Sequence, residues 1–225
     1  MNFLKFCILL FAVNLVNSAT LEEVTDAELS KLIIQEQYVI VLFSKNSLSL
    51  FYFQNKNEFL KFSGDEKEAS HDMEAELASV REDLVETINA WVVKAIDSKM
   101  KNLYNPQKEP QVVFFRKGAP VLYTGPANEE ELHDTLMAYK ETCTKDLTDT
   151  SFEHLTQAAT GATTGDWFVF FFKDECEECK LLQARLETVA CKNRNRINVA
   201  RVNKGTTGAV TGRRFEVGSV PALIL

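Results

Sequence analysis

Two continuous apolar runs, 38–43 and 167–172, mark equivalent points in two stretches of similar pattern. A run with no polar position on either face predicts a central strand covered on both sides. Each is led in by a short strand and a helix: 22–24 and 26–35 in the first stretch, 145–147 and 150–159 in the second. Asp26, and Asp149 or Thr150, are the predicted N-caps of these helices. After each run comes a helix, 72–88 or 176–191, then a strand, 90–96 or 197–202. A proline next introduces a strand, Pro110 before 111–116 and Pro221 before 222–225. The first stretch continues through a Lys117-Gly118 turn, a strand at 120–123 and a helix at 128–142 with Leu132, Leu136 and Met137 at helical spacing. Strands alternating with helices predict an α/β class. The repetition predicts two units, 20–142 and 143–225.

The 225 residues carry a formal net charge of −7, with acids gathered at 66–86, 129–131 and 174–178. Phosphate neutralisation needs basic patches, so nucleic acid is excluded as a partner. The first two acidic runs read as solvated helix faces. Residues 1–19 read as a secretory signal peptide: Lys5 is the only charge, 6–16 is apolar, and small residues follow at Ser18 and Ala19. That apolar core is too short to span a bilayer comfortably. Membrane attachment is expected only if a segment lies beyond residue 225. Cleavage after Ser18 or Ala19 would remove Cys7 and place the remainder in an oxidising compartment. Cys143, Cys176, Cys179 and Cys191 then remain, with three possible pairings.

The second apolar run leads straight into Cys176-Glu177-Glu178-Cys179 at a helix start. Pro221, preceded by Val220, follows 45 residues after Cys176. This layout resembles a thioredoxin-type redox site. Both stretches resemble thioredoxin-fold domains, and together they resemble secretory-pathway proteins of the protein disulfide isomerase type. At a helix N-terminus Cys176 is expected to be exposed and favoured as a thiolate, with Cys179 buried one turn later. The resemblance implies that Cys176 attacks and Cys179 resolves. It implies that Val220 offers its backbone to a substrate chain, and that a cis peptide at Pro221 keeps this loop tight.

Several features depart from the family pattern. The second stretch ends after its proline-led strand, without the edge strand and final helix that the first has at 120–142. The chain is therefore expected to be a fragment, because a lost covering helix leaves an apolar sheet face wet. The first stretch has 65 residues from Lys45 to Pro110 against 48 from Lys173 to Pro221, an excess placed in a surface insertion at about 47–69. It also lacks cysteine where the pair would fall, so disulfide exchange is not expected of it. Asp174, Glu175, Glu177 and Glu178 crowd the pair, and carboxylates disfavour a thiolate. Glu175 stands where the family usually has Trp. Phe170 stands where a buried acid often takes the second thiol's proton. A sluggish couple that leans towards reduction of substrates is expected.

Three readings of the pair remain. It is redox-active, or a structural disulfide, or, least favoured, part of a zinc site, for which one Cys-x-x-Cys supplies only two ligands. Cys143 and Cys191 pair or stay free, and Cys191 at the helix end reads as a buried small hydrophobe. His71, His133 and His154 read as surface residues. Gly205, Gly208 and Gly212 do not form a phosphate loop. Arg213 and Arg214 read as C-terminal residues of a short helix, Trp91 and Trp167 as core or core-edge, and Arg116 and Lys117 as the start of a hairpin turn. The functional expectation is thiol–disulfide exchange on protein substrates, with glutathione or another redox partner, in the endoplasmic reticulum lumen or after secretion. No metal or organic cofactor is implied. The competing expectation is a non-catalytic binding or scaffold protein in which Cys176–Cys179 is a staple.

Overall fold

The computed structural model describes residues 20–45, 57–104, 109–161 and 164–225, with backbone alone for 57–67. The predicted signal peptide lies outside the described residues. The first half contains β1 (Glu22–Glu23), α1 (Asp26–Gln35), β2 (Tyr38–Ser44), α2 (Asn57–Ser79), α3 (Arg81–Ile88) and β3 (Trp91–Ile96). A 3₁₀ turn (Met100–Leu103), β4 (Gln111–Arg116), β5 (Ala119–Leu122) and α4 (Glu129–Ala138) follow. The second half contains β6 (Lys145–Leu147), α5 (Phe152–Thr156), β7 (Trp167–Phe172), α6 (Glu177–Lys192), β8 (Asn198–Asn203), α7 (Ala209–Arg214) and β9 (Ala222–Ile224).

The strands form two mixed sheets, ordered β1-β3-β2-β4-β5 and β6-β8-β7-β9. In each, the first three strands in sequence are parallel and the proline-led strand, β4 or β9, runs antiparallel to the central one. The α/β expectation is met. Strand β2 is buried along its whole length. Its alternating side chains feed two cores. Ile40 and Leu42 pack with Leu77, Leu84, Phe114 and Leu132, and Val39, Val41 and Phe43 with Leu29, Val113 and Phe115. In the second sheet Val169 and Phe171 meet Phe152 and Phe215, while Phe170 faces α6. The ends of β7 are only half-buried.

Helix boundaries depart from the sequence reading where local hydrogen bonding decides. Thr25, not Asp26, caps α1, in a reciprocal box with Glu28. Asp26 sits one position inside and accepts from Ser98 and from the Lys99 N–H. Neither Asp149 nor Thr150 caps α5, whose N-cap is Ser151. Asp149 instead reaches across to α7, accepting from Val210 N at 3.1 Å and from Thr211 N and Oγ1, both at 2.7 Å. Slight burial raises its carboxyl, but the Thr211 and Val210 hydrogen bonds outweigh this and hold it below the usual carboxylate range. Asp149→Ala is expected to cost about 1 kcal/mol, as the loss of an N-cap does. A lowered urea midpoint at unchanged slope would register this.

The predicted helix at 72–88 is two helices, α2 and α3, broken at Val80. Residues 57–69, expected as part of a surface loop, belong to α2, and the rest of the predicted insertion, 47–56, lies outside the described residues. Glu is the commonest residue of α2 and Ala recurs in its second half, so propensity supports the helix although no long apolar stripe marks it. Its buried contacts among the described side chains come from Met73 and Leu77, four residues apart.

The halves meet where α6 lies along β5. The Leu122 N–H, on the outer edge of β5, donates to Thr188 Oγ1 at 2.9 Å, so a helix of the second half closes an edge of the first sheet. Arg116 does more than begin a turn. Its side chain is 2% exposed and its Nη2 pairs with Glu187 Oε1 at 2.7 Å. Its Nη1 donates to Tyr139 O at 2.7 Å and Glu141 O at 3.4 Å. A buried charge survives only with such a set of partners.

Candidate redox site

Strand β7 delivers the chain to a short turn, and Cys176 becomes the N-cap of α6 with extended backbone. Its Sγ accepts the Cys179 N–H at 3.1 Å, in the manner of a capping oxygen. Cys179, one turn on, is 1% exposed among Phe170, Leu186, Ala190 and Val199, whereas Cys176 is half-buried at the rim of this cluster. The two sulfurs form a disulfide. Val220 packs against the same cluster, and the Val220–Pro221 peptide is cis. Thus Cys176, Cys179 and Val220 share one apolar cluster, with Pro221 adjacent in the chain.

The local charges are more moderate than their number suggests. Asp174 accepts from Asn203 Nδ2 at 2.9 Å, and Glu177 pairs with Lys180 at 2.7 Å. Glu175 and Glu178 are exposed. Phe170 is fully buried and stacks on Phe172, so the strand below the pair supplies aromatic surface and no acid. Once reduced, the Cys176 sulfur would keep a backbone N–H and the positive end of α6, which favour its anion. The equivalent place in the first half has a different chemistry. The Glu109–Pro110 peptide is also cis, and Glu109 pairs with Lys101 and, at 3.4 Å, with Lys45. An ionic cluster thus occupies the position where the second half presents Val220.

Sequence reasoning missed a second constellation at the junction. Cys143 and Cys191 form a disulfide. Glu187 Oε1 accepts the Cys143 N–H at 2.6 Å, and Oε2 accepts the Thr144 N–H at 3.1 Å and the Thr144 hydroxyl. These two cysteines and Glu187 form the group of His, Cys, Asp or Glu side chains, among the described residues, close enough to share an ion. Their sulfurs are bonded to each other, and Arg116 already holds the carboxylate. No helix among the described residues is long and apolar enough to cross a membrane.

No family model matches the chain. A thioredoxin domain-containing protein of Theileria parva is 40% identical over 79 residues, which is 35% of this chain and 36% of that relative. The chain therefore spans about a third of the length of the curated relative it matches. Among solved structures, full-length ERdj5 aligns over 90% of this chain and 26% of its own, at 17% identity and a TM-score of 0.46. The zinc-bound form of human ERp44 aligns over 92% of this chain and 53% of its own, at 12% identity and a TM-score of 0.40. The first two thioredoxin domains of Naumovozyma dairenensis Eps1p align over 88% and 78%, at 12% identity and a TM-score of 0.34. The chain is similar to thioredoxin domain-containing proteins.

Proposed function

We propose that this protein carries out thiol–disulfide exchange on protein substrates, with Cys176 attacking and Cys179 resolving. The observation that carries the reading is the asymmetry of the pair. Cys176 is a half-buried helix N-cap whose sulfur takes a backbone N–H, and Cys179 is sealed beneath it. In the reduced enzyme the Cys176 thiolate attacks a substrate disulfide, forming a mixed disulfide and releasing one substrate thiol. Cys179 then attacks Cys176 Sγ, passes its proton to the departing substrate sulfur, and leaves Cys176–Cys179 oxidised. The reverse sequence oxidises a substrate dithiol. Val220 and Pro221 would hold the substrate chain beside Cys176.

This reading takes the chain as two tandem thioredoxin-like domains, 20–142 and 143–225, behind a signal peptide at 1–19. The cysteine-free first domain would bind or space substrates. The setting would be the secretory pathway, in the endoplasmic reticulum lumen, with glutathione or a dedicated thiol as redox partner.

The test is capture. Cys179→Ala should accumulate dithiothreitol-sensitive mixed disulfides with secretory-pathway proteins, and Cys176→Ala with Cys179→Ala should accumulate none at that site. Equal, empty yields from both variants would overturn the exchange reading. A second reading, a structural staple in a binding protein, is favoured by the aromatic floor at Phe170. A glutathione titration separates the two. A potential of about −180 to −210 mV matches the glutathione poise of the endoplasmic reticulum, and one below about −300 mV marks a staple.

A further inference from the structure

The disulfide Cys143–Cys191 sits in a setting unlike that of a passive staple. We propose that it is a second redox pair, opened by small thiols of the glutathione class, with Cys143 as its reactive sulfur. This inference does not depend on the role given to Cys176 and Cys179. It rests on the unequal surroundings of the two sulfurs.

Cys143 lies in the short connection between α4 and β6 and is half-buried. The Arg194 guanidinium donates to its Sγ at 3.0 Å. Arg194 is exposed, and it also donates to Ala138 O and Glu141 O, both at 3.3 Å. A guanidinium held on a sulfur by two backbone carbonyls is a prepared site for a thiolate. Cys191 has the opposite environment. It is 8% exposed and its Sγ lies 3.8 Å from Glu187 Oε1. Burial and a neighbouring carboxylate both disfavour an anion there, so a freed Cys191 stays protonated and can donate to Glu187. The other titratable groups facing this junction include Arg116, which pairs with Glu187, Arg201, which pairs with Asp146 and also acts on Glu187, and Tyr139 and Glu141, which lie near the guanidiniums.

The chemistry closes with thiols as the only reductant. A first thiolate attacks Sγ of Cys143, the less buried of the two cysteines. The S–S bond breaks, Cys191 leaves and takes up the proton the incoming thiol gave to solvent. A second thiolate attacks the external sulfur of the mixed disulfide. It departs as the small-molecule disulfide, and Cys143 remains as a thiolate on Arg194. Two thiols are oxidised and one protein disulfide is reduced. In the reverse direction Cys143 would attack an oxidised partner and Cys191 would resolve.

The test uses the full chain carrying Cys176→Ser and Cys179→Ser, so that only this pair reports. Incubated folded in glutathione buffers, quenched in acid and alkylated, it should show reduction, with glutathione found on Cys143 in the intermediate. In a Cys191→Ser background, Arg194→Gln should slow alkylation of Cys143 at pH 7 about tenfold, the effect of losing one nearby opposite charge. Arg194→Lys should restore most of the rate. A pair that opens only after unfolding, glutathione found on Cys191, or an alkylation rate indifferent to Arg194 would each overturn the proposal.

Discussion

Glu187→Ala is expected to destabilise the protein by about 3–5 kcal/mol, the cost of leaving one partner of a buried ion pair behind. Arg116 has side-chain exposure of 2% and Glu187 of 5%, so the guanidinium left behind has little access to bulk water. The variant also strips the Cys143 and Thr144 N–H groups of their acceptor. Urea unfolding should show a large fall in midpoint, and a variant within about 1 kcal/mol of the wild type would refute the account. Replacing both partners, Arg116→Met with Glu187→Leu, should cost less than Glu187→Ala alone, because no unpaired charge is stranded. Burial raises the Glu187 carboxyl, but Thr144, the Cys143 N–H and Arg116 together hold it below the usual carboxylate range. Its folded pKa is therefore depressed relative to an unfolded value of about 4.3. The linked stability is fully present above that value and is lost as pH falls through the lower folded pKa. Glu187→Gln should flatten this part of the acid limb.

The elements around the candidate redox site were legible because each leaves a short-range mark. The run 167–172, the cysteines at a helix start and the proline before β9 are local patterns, and β7, α6 and β9 follow them within one residue. The continuous apolar run at β2 marked the centre of the first sheet for the same reason. Where the deciding contact is distant, the sequence was silent. Asp149 reads as a cap for the helix just after it, yet its hydrogen bonds go to Thr211, 62 residues on. Arg116 and Glu187 are 71 residues apart, and they meet only because α6 docks on β5. A charge closing the apolar run 112–115, and an acid on the helix face that also carries Ala184, Ala190 and Cys191, were the available signals. Neither names its partner. The pairing of Cys143 with Cys191 likewise needed the fold, since four cysteines admit three pairings. The part of helix α2 before residue 72 escaped for another reason: no apolar periodicity in the sequence marks it.

In a chain with Cys143 and Cys191 changed to Ser, Cys176→Ser is expected to reduce exchange with a disulfide-bonded peptide more than about hundredfold, to the uncatalysed background, since a hydroxyl cannot take the place of the attacking sulfur. Cys179→Ser should instead retain the first half-reaction and stall at the mixed disulfide. The size of the surviving first step reports how far the acidic neighbours restrain the Cys176 thiolate. Asp174 and Glu177 have partners in Asn203 and Lys180, so Glu175 and Glu178 are the groups whose removal should matter. Both are exposed, and their influence should be partly screened by salt. In the Cys179→Ser background, Glu175→Gln with Glu178→Gln should raise the rate of mixed-disulfide formation at pH 7 about threefold at low ionic strength, and less at 0.5 M salt. A rise that persists undiminished in salt would point to a change in substrate binding. No rise at all would mean that the α6 terminus and the Cys179 N–H, held 3.1 Å from the sulfur, already govern the thiolate.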